Sequence, residues 1–173
     1  MLDLADGVVR LRRLEDGDVA AIAAACVDPE IARFTTEIPQ PYTEDDARAY
    51  VAFAATEWVT GQRRPFAITG AGDGAFFGAI DVRLCEVGSI GYWVAPSARG
   101  RGVATRALAL LSRWAVTEGG VERLELTTHP ENIASQRVAE KCGFVREAVL
   151  RSHIRFREGR RDSVLFSLLP SDL

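Results

Sequence analysis

The chain has 173 residues, 47% of them apolar and 26% charged, a balance that suits one globular domain of ordinary size. It excludes a disordered chain, a collagen-like repeat and a disulfide-dense miniprotein. A formal net charge of -3 argues against whole-chain attraction to nucleic acid or to an anionic membrane.

Among the 21 basic residues Lys141 is the one lysine. Codon usage in a GC-rich genome accounts for such a bias, and Arg10, Arg12 and Arg13 are read that way. Other arginines would suit forked binding of a phosphate or carboxylate. No run approaches the ~20 apolar residues of a membrane span. The acidic start, Met1 to Asp6, lacks the basic segment of a signal peptide. Cys26, Cys85 and Cys142 form no CxxC, and with His129 and His153 they complete no zinc pattern. Three reduced thiols, no metal and a cytoplasmic location are expected.

In chain order, Val8 to Arg12 alternates as a strand. A helix after Asp16 should bury Val19, Ala20, Ile22, Ala23 and Cys26, and a short helix should span Pro29 to Phe34. Two prolines make Thr36 to Tyr42 irregular. Thr43 with Asp46 reads as a capping box opening a helix that Gly61 ends. Phe66 and Ile68 mark a strand, and Gly70 to Gly74 is a hairpin turn. Phe76 to Leu84 and Ser89 to Val94 are two more strands. Val103, Ala107, Leu110, Leu111, Trp114 and Ala115 form one helical stripe. Leu124 and Leu126 mark a strand, Asn132 to Cys142 a helix stopped by Gly143, and Phe144 to Phe156 with Ser163 to Leu168 a closing hairpin across Glu158-Gly159-Arg160. The pattern predicts one α/β (α+β) domain over 1–173, with a mixed sheet of about seven strands flanked by helices.

The segment Trp93-Val94-Ala95-Pro96-Ser97-Ala98-Arg99-Gly100-Arg101-Gly102-Val103-Ala104-Thr105 joins an apolar strand to a long helix. Glycines let backbone N–H groups converge, and a helix N-terminus carries unpaired N–H groups and partial positive charge. With Arg99 and Arg101 this suits a pyrophosphate. An ordinary glycine turn with two solvated arginines is the competing reading. The segment is neither a GxxxxGK[ST] loop nor a complete GxGxxG fingerprint.

Here the sequence resembles a family. Arg99-x-x-Gly102-x-Ala104 is similar to the pyrophosphate-binding turn of the GNAT N-acetyltransferases. Gly91-Tyr92-Trp93-Val94, the run Asn132-x-x-Ser135-x-Arg137-Val138-Ala139-Glu140-Lys141-x-Gly143-Phe144, and the ending with Gly159, Asp162 and Leu165 to Leu168 resemble its RimJ/RimL branch. The likeness is strongest over residues 88–168. It implies that acetyl-CoA is a co-substrate whose thioester an amine attacks directly. Its pyrophosphate would lie on the backbone of Arg99, Gly100, Arg101, Gly102, Val103, Ala104 and Thr105. Its pantetheine arm would lie between two splayed parallel strands, on the edge of Tyr92, Trp93 and Val94. Asn132 would bond that arm, although a plain helix N-cap is the alternative. An N–H near Val94 would polarise the carbonyl.

Many members use a tyrosine acid where this chain has Ala139; in the RimJ/RimL branch a serine fills the role, here Ser135. His129, Glu37 and Glu86 are candidates for the general base. Arg106 departs from the acidic residue common at its position, and is offset either by the 3′-phosphate of CoA or by nothing. The implied acceptor is a protein N-terminal α-amine, and a homodimer is common in this branch. A small-molecule amine such as an aminoglycoside or polyamine, succinyl in place of acetyl, and a non-catalytic acyl-CoA-binding module stay open. The loop Thr35 to Tyr42 and the segment Ser152 to Arg160 should form the acceptor groove. Arg151, Arg155, Arg157, Arg160 and Arg161 would favour an acidic acceptor there, unless they form a solvated basic hairpin.

Overall fold

The computed structural model describes residues 2–36, 38–156 and 158–173. Strand β1 (Leu4–Ala5) pairs antiparallel with β2 (Val9–Arg12). In β2 the alternation is literal: Val9 and Leu11 are buried while Arg10 is exposed. A pair as short as β1 leaves no alternation to read, and with it the described residues form a sheet of eight strands where about seven were expected.

A 3-10 turn at Asp16–Asp18 leads into α1 (Val19–Cys26). Val19, Ile22 and Cys26 are buried as expected, but Ala20 is exposed and Ala25 takes its place. The helical repeat puts residue 25, and not 20, on the face of 22 and 26. Arg12 also departs from a codon-usage account. Its guanidinium bonds both oxygens of the buried Asp18 at 2.8 Å.

Helix α2 (Pro29–Phe34) is capped by Asp28, whose Oδ1 accepts from the Ile31 N–H at 3.1 Å. Helix α3 (Glu44–Thr60) opens on the Thr43–Asp46 capping box and ends at Gly61, with φ 82°. Strands β3 (Arg63–Gly70), β4 (Phe76–Arg83) and β5 (Val87–Val94) form an antiparallel meander. Then come α4 (Val103–Thr117), β6 (Arg123–Thr128), α5 (Ile133–Lys141), β7 (Val145–Phe156) and β8 (Gly159–Leu168). The sheet order is β1-β2-β3-β4-β5-β6-β8-β7. Strands β5 and β6 are parallel, joined through α4.

Successive side chains of a strand leave opposite faces of the sheet. Trp93 joins the cluster of Val19, Ile22 and Cys26 from α1 with Ala47 and Val51 from α3. Tyr92 packs against the larger core, which holds Val103, Ala107, Leu108 and Leu111 of α4 and Ala139 of α5.

The far edge is tied by charge. Glu147 on β7 accepts from the Arg123 guanidinium on β6 at 2.7 Å and from the Ser167 hydroxyl on β8 at 2.5 Å. These partners hold its carboxyl at about 2, below the ordinary 4.5. A depressed carboxyl stabilises the fold above its unfolded value, and this contribution is lost as pH falls through its folded value. Glu147→Gln is therefore expected to be less stable than wild type at pH 6. The two should converge in urea denaturation as pH falls from 4.5 toward 2.

Candidate functional site

Strands β5 and β6 pair at Val87–Arg123, Gly88–Leu124 and Ser89–Glu125 and then part, although β5 continues to Val94 and β6 to Thr128. On its other side β5 stays paired with β4 up to Gly78–Val94. The Ala95 N–H donates to Phe77 O at 2.8 Å, toward β4. Strand alternation then turns the N–H groups of Val94 and Tyr92 into the gap. Trp93 is turned the other way. Its carbonyl faces Gly78, and its ring lies 5.9 Å from Phe76 on the face of α1 and α3. Of the three expected edge residues, Tyr92 and Val94 thus face the gap with backbone groups and Trp93 does not.

Above the gap lies the arginine-glycine turn. Gly100 and Gly102 have φ of 71° and 75°, the left-handed region that favours glycine. An added Cβ at either would meet nothing within 4 Å, so the turn is open. Gly102 is the N-cap of α4 and brings no side chain to it. The first helical bond is Arg106 N–H to Gly102 O, at 3.0 Å. The N–H groups of Val103, Ala104 and Thr105 come before it, where a helix offers no internal acceptor. Val103 buries its side chain in the core while its N–H stays in the turn. This cradle fits a pyrophosphate.

The arginines are placed less uniformly than the motif suggests. Arg99 bonds Asp28 at 2.7 Å and Val94 O at 3.3 Å, and holds the Asp28 carboxyl below the usual range. Arg101 lies over the Phe77 ring at 5.1 Å, beside a cleft of about 470 Å³ that Val103 also lines and that Gly7 and Gly70 to Asp73 border. Arg106 donates to Asp6 at 2.7 Å, so an acidic side chain offsets its charge. Arg106→Gln should leave CoA affinity within about twofold of wild type at any salt concentration, because a half-exposed ion pair with Asp6 is a local matter. Calorimetric titration checks this.

Below the turn, α5 begins at Asn132. Its Oδ1 accepts from the Ser135 N–H at 3.1 Å, so Asn132 is the N-cap and keeps its amide NH2 to donate. Ser135 lies in the first turn of α5. Its hydroxyl is 3.0 Å from the Tyr92 hydroxyl, bridging β5 and α5 across the gap. Burial pushes the Tyr92 hydroxyl up to about 12. Ala139, one turn on, is fully buried. Cys26 and Cys142 are likewise pushed up by burial, to about 12 and about 11, which makes them packing groups and not thiolates.

His129 follows β6 between two rings, 5.7 Å from Phe34 and 6.1 Å from Phe156. Its Nδ1 accepts from the Glu131 N–H at 3.2 Å. The neutral ring therefore carries its proton on Nε2 and presents a donor, not the lone pair a general base needs. Glu86 precedes β5, at the paired end, away from the gap. Glu37 lies outside the described residues.

A cleft of about 300 Å³ runs between Thr35, Thr36 and Gln40 on one side and Phe156, Glu158 and Arg161 on the other. This joins the proline loop to the closing hairpin, as expected. The hairpin's charge is partly consumed, however. Arg160 donates to the carbonyls of Ser152 and His153, and Arg161 pairs with Glu158 at 2.6 Å. Arg33, at the same cleft, pairs with Glu131 at 2.6 Å. Arg151 and Arg155 are exposed, and Arg157 lies outside the described residues.

Sequence reading missed the Arg63–Asp81 pair on the acceptor-side face. Asp81 stands opposite Gly91 and is 9% exposed, and an added Cβ at Gly91 would lie 3.7 Å from its Oδ1. Arg63 takes both carboxylate oxygens, one at 2.9 Å. The signal was a lone charge inside Gly78-Ala79-Ile80-Asp81-Val82, an otherwise apolar strand. Among the described residues no cluster of three or more His, Cys, Asp or Glu could hold a metal ion. No helix there is long and apolar enough to cross a membrane.

Residues 9–145 match the family model described as the acetyltransferase (GNAT) domain. The chain belongs to this family. The GNAT chain is 31% identical over 83 residues to YjcK of Bacillus subtilis, named a probable N-acetyltransferase, a match spanning 48% of this chain and 46% of that one. It thus spans about half the length of that relative. Mycobacterium smegmatis RimJ, solved in complex with CoA-disulfide, superposes with a TM-score of 0.88 at 27% identity, covering 99% of this chain and 88% of that one. RimL, a ribosomal L7/L12 α-N-protein acetyltransferase solved with coenzyme A, has a TM-score of 0.86 at 16% identity, covering 97% and 98%, a likeness of fold.

Proposed function

We propose that this GNAT chain transfers an acetyl group from acetyl-CoA to a primary amine, the α-amine of a protein N-terminus. The observation that carries it is the parting of β5 from β6 below an open glycine turn, with Ser135 and Tyr92 facing each other across the gap. Acetyl-CoA supplies the activated acyl group. The turn from Arg99 to Thr105 receives its pyrophosphate, and the N–H groups of Tyr92 and Val94 receive the arm and polarise the carbonyl. The Asn132 amide donates to the arm while its oxygen holds Ser135. Ser135 donates a hydrogen bond to the departing sulfur. Glu37 in the proline loop stays a candidate for taking the amine's proton through a water.

One observation supports an α-amine over a polyamine or lysine. The His129 Nδ1 lone pair is engaged by the Glu131 N–H, so an acceptor that arrives partly neutral is favoured. An α-amine titrates at about 7.7–8.0, a lysine side chain at about 10.4. The paired charges Arg33–Glu131 and Arg161–Glu158 leave the cleft without a strong preference for acidic or basic chains. The RimL and RimJ likeness points the same way.

Mass spectrometry of peptides with varied N-termini, spermidine and an aminoglycoside, each with acetyl-CoA or succinyl-CoA, tests this. Acetylation of peptide α-amines is expected. Turnover on the small amines alone would reverse the acceptor assignment, and CoA binding without turnover on any amine would make the chain a binding module.

Arg99 offers a further check. Asp28→Asn keeps an oxygen to cap α2 but removes the charge that competes for Arg99. CoA affinity should then rise about threefold, the worth of a partly exposed ion pair. A fall in calorimetric affinity would mean that Arg99 serves the turn's shape and not the phosphate.

A further inference from the structure

We propose that the Tyr92 side chain is a positioning residue for Ser135: its hydroxyl donates to the Ser135 Oγ, which frees the serine proton for the sulfur of the departing thiolate. This rests on the reading of Ser135 given above. The backbone of Tyr92 was expected to meet the cofactor; the role of its phenol is separate.

The argument turns on where two protons go. Each hydroxyl has one proton and can accept two hydrogen bonds. The two oxygens lie 3.0 Å apart, so one of them donates to the other. If serine donated to tyrosine, its proton would be spent and the gap would face a bare oxygen. The phenol proton would then need another acceptor, and Tyr92 packs against an apolar core that offers the Cys142 sulfur, a weak acceptor. If tyrosine donates, both protons are placed: one lies on Ser135 and the other points into the gap. The second arrangement leaves no buried donor unpaired.

The surroundings favour this orientation. Burial keeps Tyr92 protonated up to about 12, so it is a donor throughout the neutral range. The phenol sits on a strand held along its length by β4. Ser135 is held from the other side, because Asn132 captures its N–H. Its hydroxyl is thus fixed between a strand and a helix cap. Hydrogen-bond chains polarise one another, so a serine that accepts from tyrosine is also a better donor to sulfur.

The test reads the thiol of bound CoA and not only turnover. The sulfhydryl of CoA is titrated by its thiolate ultraviolet absorbance in complexes with wild type, Tyr92→Phe, Ser135→Ala and the double variant, with CoA affinity measured alongside. In wild type the thiol midpoint should lie below that of free CoA. Tyr92→Phe should lower the thiolate fraction about threefold at constant CoA affinity, and kcat about tenfold with the acetyl-CoA KM unchanged, as for loss of one aligned donor. In the Ser135→Ala background Tyr92→Phe should change nothing, since residues acting through one another are not additive. If Tyr92→Phe fails to fold, 3-fluorotyrosine at position 92 keeps the ring and strengthens the donor, and should raise the thiolate fraction.

A Tyr92→Phe complex that titrates like wild type, or an effect that adds fully to that of Ser135→Ala, overturns the proposal and leaves the Ser135 reading standing. A Ser135→Ala variant with wild-type midpoint and kcat overturns both.

Discussion

Alanine at Ser135 is expected to lower kcat about a hundredfold while the acetyl-CoA KM stays near wild type, the size of effect seen when one aligned donor to a developing anion is removed. The reason lies in what the substitution leaves alone. Asn132 still caps α5 through the residue-135 N–H, because that donor belongs to the backbone. The glycine turn and the free edge of β5 are untouched, so ground-state binding survives. What disappears is a hydrogen bond made only as sulfur takes on charge, and such an interaction appears in kcat. Ser135→Thr keeps a hydroxyl and should recover part of the rate. Steady-state kinetics across pH checks all of this. Unchanged kcat at every pH would remove Ser135 from the reaction.

The largest expected loss of stability comes from a residue that bears no chemistry. Gly78 sits on β4 opposite Val94, with φ 153°. An added Cβ there would lie 2.2 Å from the Trp93 carbonyl oxygen and 3.0 Å from the Val94 Cα, both backbone. Neither neighbour can swing aside as a flexible side chain would, so β4 and β5 must move apart. Gly78→Ala should cost on the order of 3 kcal/mol, combining backbone strain with overpacking. Chemical denaturation measures it. CoA affinity should fall as well, because Gly78 lies beneath the end of β5 that carries the free N–H of Val94. Ser135→Ala, by contrast, should fold as wild type does. The two variants thus separate damage to the frame from damage to the chemistry.

Much of this was legible in the residues. The capping box at Thr43 and Asp46, the stop at Gly61 and the stripe of α4 follow from local rules that tertiary packing did not override. The glycines at 100 and 102 marked the turn because no other residue takes their conformation cheaply. What stayed hidden was pairing over distance. Arg106 reaches Asp6, and no periodicity reports that a charge has found a partner a hundred residues away. The Tyr92–Ser135 contact spans 43 residues and depends on where two strands part. His129 shows a third kind of limit. Its place at the end of the strand beside the gap was readable, but the bond from the Glu131 N–H to its Nδ1 was not. The strand β1 escaped because pairing, and not pattern, makes it a strand.

Tyr92 and Trp93 are neighbours in the chain, yet they address opposite sides of the sheet. One points toward α5, where the proposed reaction places the leaving sulfur; the other joins the layer of α1 and α3. The sheet is thus a partition with a slit in it, and the donor and acceptor of the acetyl group are served by different walls. Changes in α2, the proline loop or the β7–β8 hairpin can recast the acceptor without disturbing the residues that release the thiol. A lineage could therefore exchange one amine for another through surface substitutions alone, while the Tyr92 side stays as it is.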